Sequence, residues 1–229
     1  MKHQSFSKLR FMMPYIDIHT HQHREVPHLL QLLNCIIGKG AIPETICSVG
    51  IHPWYVEGDG NTQWALLKQQ ATSTQVLAIG ECGLDKLTDT PWDKQIEIFE
   101  CQILLANKLQ KPLIIHCVRA FQETMTMLKA QKVQVPVLFH GFNKKKEVAQ
   151  ALLRQGYYLS LGSAILKGQM DDILIDLPLE KIFFETDDKS TNVVDIYSYF
   201  CTVRKISMDD LRQQISKNFQ NVFRYTLSA

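Results

Sequence analysis

Short apolar runs alternate along the chain with longer segments whose apolar residues recur at helical spacing. Most of the short runs are continuously apolar, which is typical of parallel strands buried on both faces of a sheet. The segment 34–37 is ambiguous, since it could equally be the end of a helix that starts near Pro27. The predicted strands cover residues 15–19, 34–37, 45–49, 76–79, 113–116, 135–140, 157–161 and 182–185.

The longer segments have the features of helices. Thr90 and Pro91 are typical of an N-cap followed by proline at the first helical position. Apolar residues then recur at helical spacing over 92–106, which gives one buried stripe. Ser207 and Asp210 resemble a capping box that opens the last helix. The pattern therefore predicts strands and helices in alternation.

Eight strands that alternate with helices predict an α/β fold, a (β/α)₈ TIM barrel. We assign residues 14–229 to one barrel domain and residues 1–13 to a loose N-terminal extension. With 229 residues the chain is near the short end for this fold, so we expect a trimmed barrel with some helices missing or shortened. The alternative is a doubly wound open sheet, but no glycine-rich phosphate loop follows the first strand.

Composition and charge narrow the class of protein. Hydrophobic residues make up 45% of the chain and charged residues 21%, which excludes disordered and fibrous proteins. The 25 Lys and Arg residues against 23 Asp and Glu residues give a net charge of +2. This balance argues against holding nucleic acid by bulk electrostatics, but not against an enzyme that handles nucleic acid locally.

Cysteine usage and hydropathy bear on the compartment. The six cysteines form no Cys-x-x-Cys pair and mostly lie in apolar runs, which is typical of buried thiols in a reducing compartment. No apolar stretch reaches the roughly 18 residues that a membrane span needs. The basic N-terminus lacks the apolar segment of a signal peptide. We therefore expect a cytoplasmic protein with no membrane contact and no required protein partner.

The first predicted strand ends in two histidines, His19 and His21, separated by one residue. Side chains alternate along a strand, so both imidazoles point to the same face. Two imidazoles in this arrangement can chelate a divalent metal ion. For this motif alone, a pair of hydrogen-bonded structural histidines is the alternative.

Further ligand-type residues lie at the ends of four other predicted strands. Glu81, His116, His140 and Asp187 each lie where an apolar run gives way to a loop. In a barrel these positions converge on one rim, where active sites are built. Core histidines or solvated acids are a poor explanation for five strand ends of this kind, so we predict a metal site.

The mixture of imidazoles and carboxylates indicates the chemistry of that site. Such ligands suit Zn²⁺, Mn²⁺ or Mg²⁺, and a bridging carboxylate lets two ions sit together. Two divalent ions can bind a phosphoryl group and lower the pKa of water toward about 7. A carboxylate beside that water can accept its proton. Asp187, the last of the set in chain order, fits this role while also binding metal.

Six short motifs occur in a fixed order between about residue 15 and residue 225. Gly-Glu-Cys-Gly-Leu-Asp and Glu-Thr-Asp are the most specific of them. The motifs occupy residues 16–21, 49–53, 79–85, 112–116, 139–142 and 184–187. In order and spacing they resemble the motifs of the TatD-like metal-dependent hydrolases, whose ending is also similar to the Asn-Phe-Gln-Asn-Val-Phe segment at 218–223.

The resemblance implies a TIM-barrel enzyme with two metal ions, and the best-known members of the family are deoxyribonucleases that trim DNA from the 3′ end. Carried over to this chain, His19, His21 and Asp187 match the ligands of one metal. His116 and His140 match the ligands of the other.

Glu81 matches the carboxylate that bridges the two metals in that family. Many related hydrolases instead use a carboxylated lysine at the fourth strand. The glutamate therefore favours the TatD-like branch over urease-like or dihydroorotase-like enzymes.

Three residues are candidates for substrate contacts: His52, Arg119 and Lys144. His52 lies in a Gly-Ile-His-Pro segment, where a hydrogen-bonded structural histidine is an equal alternative. Lys144 belongs to a lysine run that opens a helix, where the dipole disfavours cations, although a solvated charge run is the plainer alternative. Arg119 lies one position away from the arginine of the family's motif. Trp54, next in the loop after His52, could stack on a base or anchor its loop.

The sequence therefore predicts a divalent-metal-dependent hydrolase, a phosphodiesterase or deoxyribonuclease that trims DNA ends with two metal ions. Asp187 and Glu81 are its predicted catalytic residues, and DNA or another phosphodiester is its predicted substrate. Two alternatives remain open. One is a hydrolase of an amide, ester or lactone on the same site, and the other is a non-catalytic metal-binding relative.

Overall fold

The eight strands form one parallel sheet in which each strand pairs with the next along the chain. The computed structural model describes residues 13–227. Its strands are β1 (Tyr15–Thr20), β2 (Leu29–Ile36), β3 (Cys47–Gly50), β4 (Val76–Asp85), β5 (Leu113–Val118), β6 (Val137–Phe139), β7 (Tyr158–Leu161) and β8 (Ile182–Phe184). Thr20 and Asp187 form a parallel bridge between the two ends of the sheet. The result is a nearly closed barrel, which confirms the predicted TIM-barrel fold.

The helices cover most but not all of the connections between strands. They are α1 (Asn61–Gln70), α2 (Trp92–Leu109), α3 (Phe121–Ala130), α4 (Lys146–Arg154), α5 (Asp171–Asp176), α6 (Val193–Arg204) and α7 (Met208–Phe223). Within residues 13–227, β1 joins β2 and β2 joins β3 without a helix. The barrel is therefore trimmed as predicted, on the side of its first three strands.

The two predicted helix starts have different outcomes. Ser207 caps α7, because its hydroxyl oxygen accepts a hydrogen bond from Asp210 N at 3.1 Å. Thr90 does not cap α2, so that prediction is wrong. Pro91 is still extended (φ −52°, ψ 136°) and occupies the cap position itself, without a side-chain hydrogen bond. The Thr90 carbonyl instead accepts from the Gln95 side chain at 2.8 Å.

Residues 34–36 belong to the strand β2, and Ile37 follows it, so the helical alternative is wrong. The strand β2 begins earlier than predicted, at Leu29, which pairs with Tyr15 of β1. The leucine-rich start of β2 is compatible with a helix by its residue types. Pairing on both sides, with β1 and with β3, overrides that preference.

The strand β4 continues well past its predicted end at Ile79, so Glu81 lies inside the strand rather than after it. Two glycines, Gly80 and Gly83, make this continuation possible. A Cβ on Gly83, whose φ is +143°, would lie 2.0 Å from the carbonyl oxygen of His116 in β5. Residues with side chains cannot approach the neighbouring strand this closely. The two glycines therefore mark a tight contact between β4 and β5.

Several polar side chains are buried within the strands, among the apolar residues of the core. Asp17, His19, Glu81 and His116 are at most 8% exposed. Buried polar groups are costly unless they find partners. These side chains come from β1, β4 and β5 and lie buried in the barrel.

Three further sequence predictions concern the N-terminal extension, the cysteines and membrane-spanning helices. The predicted extension, residues 1–13, lies outside the described residues except for Met13, and the domain limits stay a prediction. All six cysteines are free. In the part of the chain that the structure describes, no helix is both long enough and apolar enough to cross a membrane.

Candidate metal centre

The carboxylate of Glu81 is the centre of the candidate site, and its side chain is only 4% exposed. One of its oxygens, Oε2, lies 3.3 Å from His19 Nε2 and 3.7 Å from His21 Nε2. The same oxygen accepts a hydrogen bond from the Asn34 amide at 3.1 Å. The alternation of β1 brings both imidazoles to this oxygen, as the His-x-His spacing predicts.

The other oxygen of Glu81, Oε1, faces three different imidazoles. It lies 2.8 Å from His140 Nε2, 2.9 Å from His116 Nδ1 and 3.1 Å from His52 Nε2. The two oxygens of one carboxylate therefore separate five histidines into two sets. A carboxylate that links two ions has this arrangement of partners.

Asp187, which follows the last strand, β8, joins the first set. Its Oδ1 lies 3.4 Å from His21 Nε2 and 3.6 Å from His19 Nε2. Backbone hydrogen bonds hold it there, from Asp187 N to the His19 carbonyl (2.9 Å) and from His21 N to the Asp187 carbonyl (3.2 Å). The closure of the barrel thus places this carboxylate beside the two imidazoles.

The electrostatics of the cluster favour charged carboxylates. Burial alone would raise the pKa of Glu81, but the surrounding imidazoles outweigh it and hold that pKa well below the usual range. Burial likewise opposes ionisation of Asp187, whereas His19 and His21 lower its pKa. Contacts with Asp187 and then Glu81 raise the pKa of His21 to about 9. A cation bound here would take the place of such protons.

The donor set fits a divalent metal by its chemistry and by its unsatisfied atoms. Both ring nitrogens of His19 are buried without a hydrogen-bond partner. Buried polar atoms of this kind call for a specific explanation, such as an ion. Among residues 13–227, three groups have ligand atoms within 4.8 Å of one another: His19, His21 and Asp187; His19, Glu81 and His140; His52, Glu81 and His116.

The structure brings together all six residues that the sequence predicts as ligands. His52, predicted as a substrate contact, lies in the same cluster, where its distance to Glu81 also suits a ligand. A cavity of about 290 Å³ opens above the cluster, and its walls include Ile36, Trp54, Tyr55 and Asp188. A small substrate group has access to the cluster through this cavity.

A protein-family model described as TatD related DNase matches residues 24–224. The chain belongs to the TatD family. A protein of Haemophilus influenzae, named an uncharacterized metal-dependent hydrolase, is 25% identical over 205 residues, or 79% of this chain and 78% of that protein. The protein TATDN3 of Mus musculus is 30% identical over 166 residues. That match covers 65% of this chain and 56% of the mouse protein, so the chain spans little more than half of that relative.

A solved structure supports the fold of this TatD-family chain. The crystal structure of the TatD homologue YjjV from Escherichia coli superposes with a TM-score of 0.79. The alignment covers 93% of this chain and 98% of that one at 20% identity. At this identity the likeness establishes the architecture alone.

Two carboxylates outside the predicted set hold the histidines of this TatD-family site. Asp85 Oδ2 lies 2.9 Å from His116 Nε2, so the other ring nitrogen, Nδ1, faces Glu81. Glu185 Oε1 lies 3.5 Å from His140 Nδ1 and accepts a hydrogen bond from Gly141 N at 2.6 Å. Such outer partners set the orientation of a ligating imidazole.

Asp17 is a third carboxylate outside the predicted set, and it lies behind the segment that carries Asp187. Its two oxygens accept hydrogen bonds from Thr186 N at 3.0 Å and from the Thr186 hydroxyl at 2.6 Å. The residue after Thr186 is Asp187, so this pair fixes the segment that carries the carboxylate. The signal was present in the sequence, since positions 17, 19 and 21 share one face of a strand.

The other two predicted substrate contacts lie outside the cavity over the cluster. Arg119 is exposed in the loop after β5, in a left-handed conformation with φ of 53°. Lys144 lines a separate groove of about 470 Å³, together with Lys145 and Lys167. Neither side chain lines the cavity that opens onto Glu81. Their roles in substrate binding stay predictions.

Proposed function

We propose that this metal-dependent hydrolase of the TatD family cleaves phosphodiester bonds, with DNA ends as its substrate. The observation that supports this best is the division of five imidazoles between the two oxygens of Glu81. A pair of divalent ions held by one carboxylate is a common arrangement in phosphatases and nucleases. The description of the matching family model, TatD related DNase, supports DNA as the substrate.

Two sets of residues would hold the ions, which we expect to be Zn²⁺, Mn²⁺ or Mg²⁺. His19, His21 and Asp187 would hold one ion, and His116 and His140 the other. When bound, such ions supply positive charge for a phosphoryl group and a lower pKa for water. Glu81 would bridge the two sets and keep them at a fixed separation.

The chain's own residues would orient the substrate and move a proton. Asp187 is the candidate general base, because its side chain is 33% exposed beside the cavity whereas that of Glu81 is 4% exposed. In that position it would accept the proton of the attacking water. Asp85 and Glu185 would keep the rings of His116 and His140 in place during turnover.

The experiment is a nuclease assay on single-stranded and double-stranded DNA, labelled at the 3′ or the 5′ end. The protein is first stripped with a chelator, and Zn²⁺, Mn²⁺ or Mg²⁺ is then added back in turn. We expect no cleavage by the stripped protein and restored release of end nucleotides with at least one ion. Cleavage at the full rate without metal would contradict the proposal.

The same protein preparations discriminate the two alternative functions. Hydrolysis of carboxylic esters, amides or lactones without any cleavage of DNA would favour a different hydrolase on the same site. A protein that binds no metal and hydrolyses none of these compounds would favour a non-catalytic relative.

A further inference from the structure

Trp54 is held in one position although it is largely exposed. More than half of the residue, 52%, is accessible to solvent. Its indole N–H nevertheless donates a hydrogen bond to Asp85 Oδ2 at 2.6 Å, and its backbone N–H donates to His52 Nδ1 at 3.1 Å. An exposed indole could hydrogen-bond to water instead, so the contact with a buried carboxylate fixes the ring rather than merely satisfying its N–H.

The ring of Trp54 lies directly beside the candidate metal ligands. Its centroid is 5.0 Å from that of His52 and 5.6 Å from that of His116, both at steep interplanar angles. Trp54 also lines the 290 Å³ cavity that opens onto Glu81. A substrate whose phosphate sits over the cluster would therefore place its next chemical group against this indole.

A second exposed apolar residue, Leu87, is bound through its backbone to the same carboxylate. Leu87 is 61% exposed, and its backbone N–H donates to Asp85 Oδ1 at 2.7 Å. Asp85 itself is 1% exposed and holds His116 as well. One buried carboxylate thus fixes a candidate ligand, an exposed indole and the start of the loop that carries Leu87.

We propose that Trp54 is a stacking surface for the nucleobase next to the scissile phosphodiester, so that the enzyme prefers nucleotides over base-free phosphodiesters. This inference rests on the proposed function and adds the substrate feature that the protein recognises. Base stacking on aromatic side chains tolerates every base, because each base has a flat face. A ring that is fixed before binding loses less freedom when the base arrives.

The first test measures preference for a base. The substrates are a short single-stranded thymidine oligonucleotide and a matched series with one abasic tetrahydrofuran nucleotide at each position in turn. For the metal-loaded wild-type protein, we expect kcat/KM to fall about 5- to 150-fold when the abasic position reaches the Trp54 site. In Trp54→Ala this ratio should approach one, whereas Trp54→Phe, which keeps a ring, should retain most of it.

The second test measures binding without catalysis. The chain has three tryptophans, so Trp64→Phe combined with Trp92→Phe leaves Trp54 as the one indole. We expect deoxyadenosine 5′-monophosphate to quench its fluorescence in the Zn²⁺-loaded protein, and deoxyribose 5-phosphate not to. Both replaced tryptophans lie outside the cavity lining, in α1 and α2.

The outcomes separate this inference from the proposed function. Equal rates on normal and abasic DNA in the wild type, or a base preference that Trp54→Ala leaves unchanged, would overturn the stacking role while the nuclease function stands. If no phosphodiester is cleaved, the proposed function fails and the fluorescence decides. Quenching by the nucleotide alone would still support a base-stacking site, and equal quenching by both compounds would overturn it.

Discussion

The two halves of the candidate site are built in different ways. In the β1–β8 half (His19, His21 and Asp187), backbone pairing across the barrel closure brings the ligand-type atoms together. In the β3–β6 half (His52, His116 and His140), one backbone group and two carboxylates hold the rings from behind. There, the outer ring nitrogens contact the Trp54 backbone, Asp85 and Glu185.

The halves also differ in exposure. The side chains of His21 and Asp187 are 29% and 33% exposed, whereas those of His52, His116 and His140 are 4%, 11% and 7% exposed. Outer partners that fix an imidazole strengthen metal binding. We therefore expect the β3–β6 half to hold its ion more tightly, and the β1–β8 half to be where substrate and water enter.

Glu81→Gln should affect both halves and have the largest effect. The amide keeps the size of the side chain but loses the charge that both sets of imidazoles face. We expect activity to fall by at least about 10⁴-fold, as when a central catalytic group is removed. Metal analysis should also show fewer than two bound ions. Elemental analysis and the DNA cleavage assay together measure these effects.

Glu97→Gln on the surface of α2 is the control for Glu81→Gln, because it makes the same change at an exposed position. It removes one acidic group and a surface ion pair with Lys94, and should leave metal content and activity intact. Two ions bound to Glu81→Gln with near wild-type turnover would show that this carboxylate does not link the halves.

Asp187→Asn should damage the β1–β8 half alone. The amide cannot accept the proton, so we expect kcat to fall about 10²- to 10⁴-fold while the fold is kept. The ion of the β3–β6 half should stay bound. Asp195→Asn, an exposed acid in α6, is the matched control. Turnover close to that of the control would contradict the role of Asp187 as the base.

Asp85→Asn should weaken metal binding in the β3–β6 half without replacing a candidate ligand. The amide no longer offers a charged partner to His116 Nε2, so we expect the affinity for one ion to fall about 10- to 100-fold. Metal titration followed by calorimetry measures this change. Asp89→Asn, in the exposed loop after β4, is the control. Equal affinities in both variants would mean that Asp85 does not position the ring.

The β1–β8 half of the site could be predicted from the sequence because it follows from local rules and from the barrel closure. His19 and His21 were predictable because alternation along a strand is a local rule. The approach of Asp187 follows from the barrel closure, which the eight-strand pattern predicts. The sequence therefore carries enough information for the β1–β8 half.

The supports of the β3–β6 half depend on contacts that a local pattern does not contain. The apolar run predicts a strand that ends at Ile79, yet β4 continues through Gly80 and Gly83 because they fit closely against β5. A strand that ends at Ile79 does not place Asp85 in register with Glu81, although both belong to β4 and alternation puts positions 81 and 85 on one face. Arg119 shows the same limit, since a left-handed loop residue directs its side chain in a way that spacing cannot predict.

Thr186→Val should have the smallest effect, and it tests the closure on which the β1–β8 half depends. Valine keeps the shape of threonine but leaves Asp17 Oδ2 without its 2.6 Å hydrogen bond in a fully buried place. We expect the free energy of unfolding to fall by about 1–3 kcal/mol, as a lower urea midpoint with an unchanged slope.

Thr202→Val on the exposed face of α6 is the control, because its hydroxyl donates to the Ser198 carbonyl at the surface, and the change in unfolding free energy should stay within about 0.5 kcal/mol. If closure positions Asp187, then metal affinity in Thr186→Val should fall for one ion only. Equal losses for both ions would mean that the two halves are not built separately, since a change at the β1–β8 junction would then reach His116 and His140 as well.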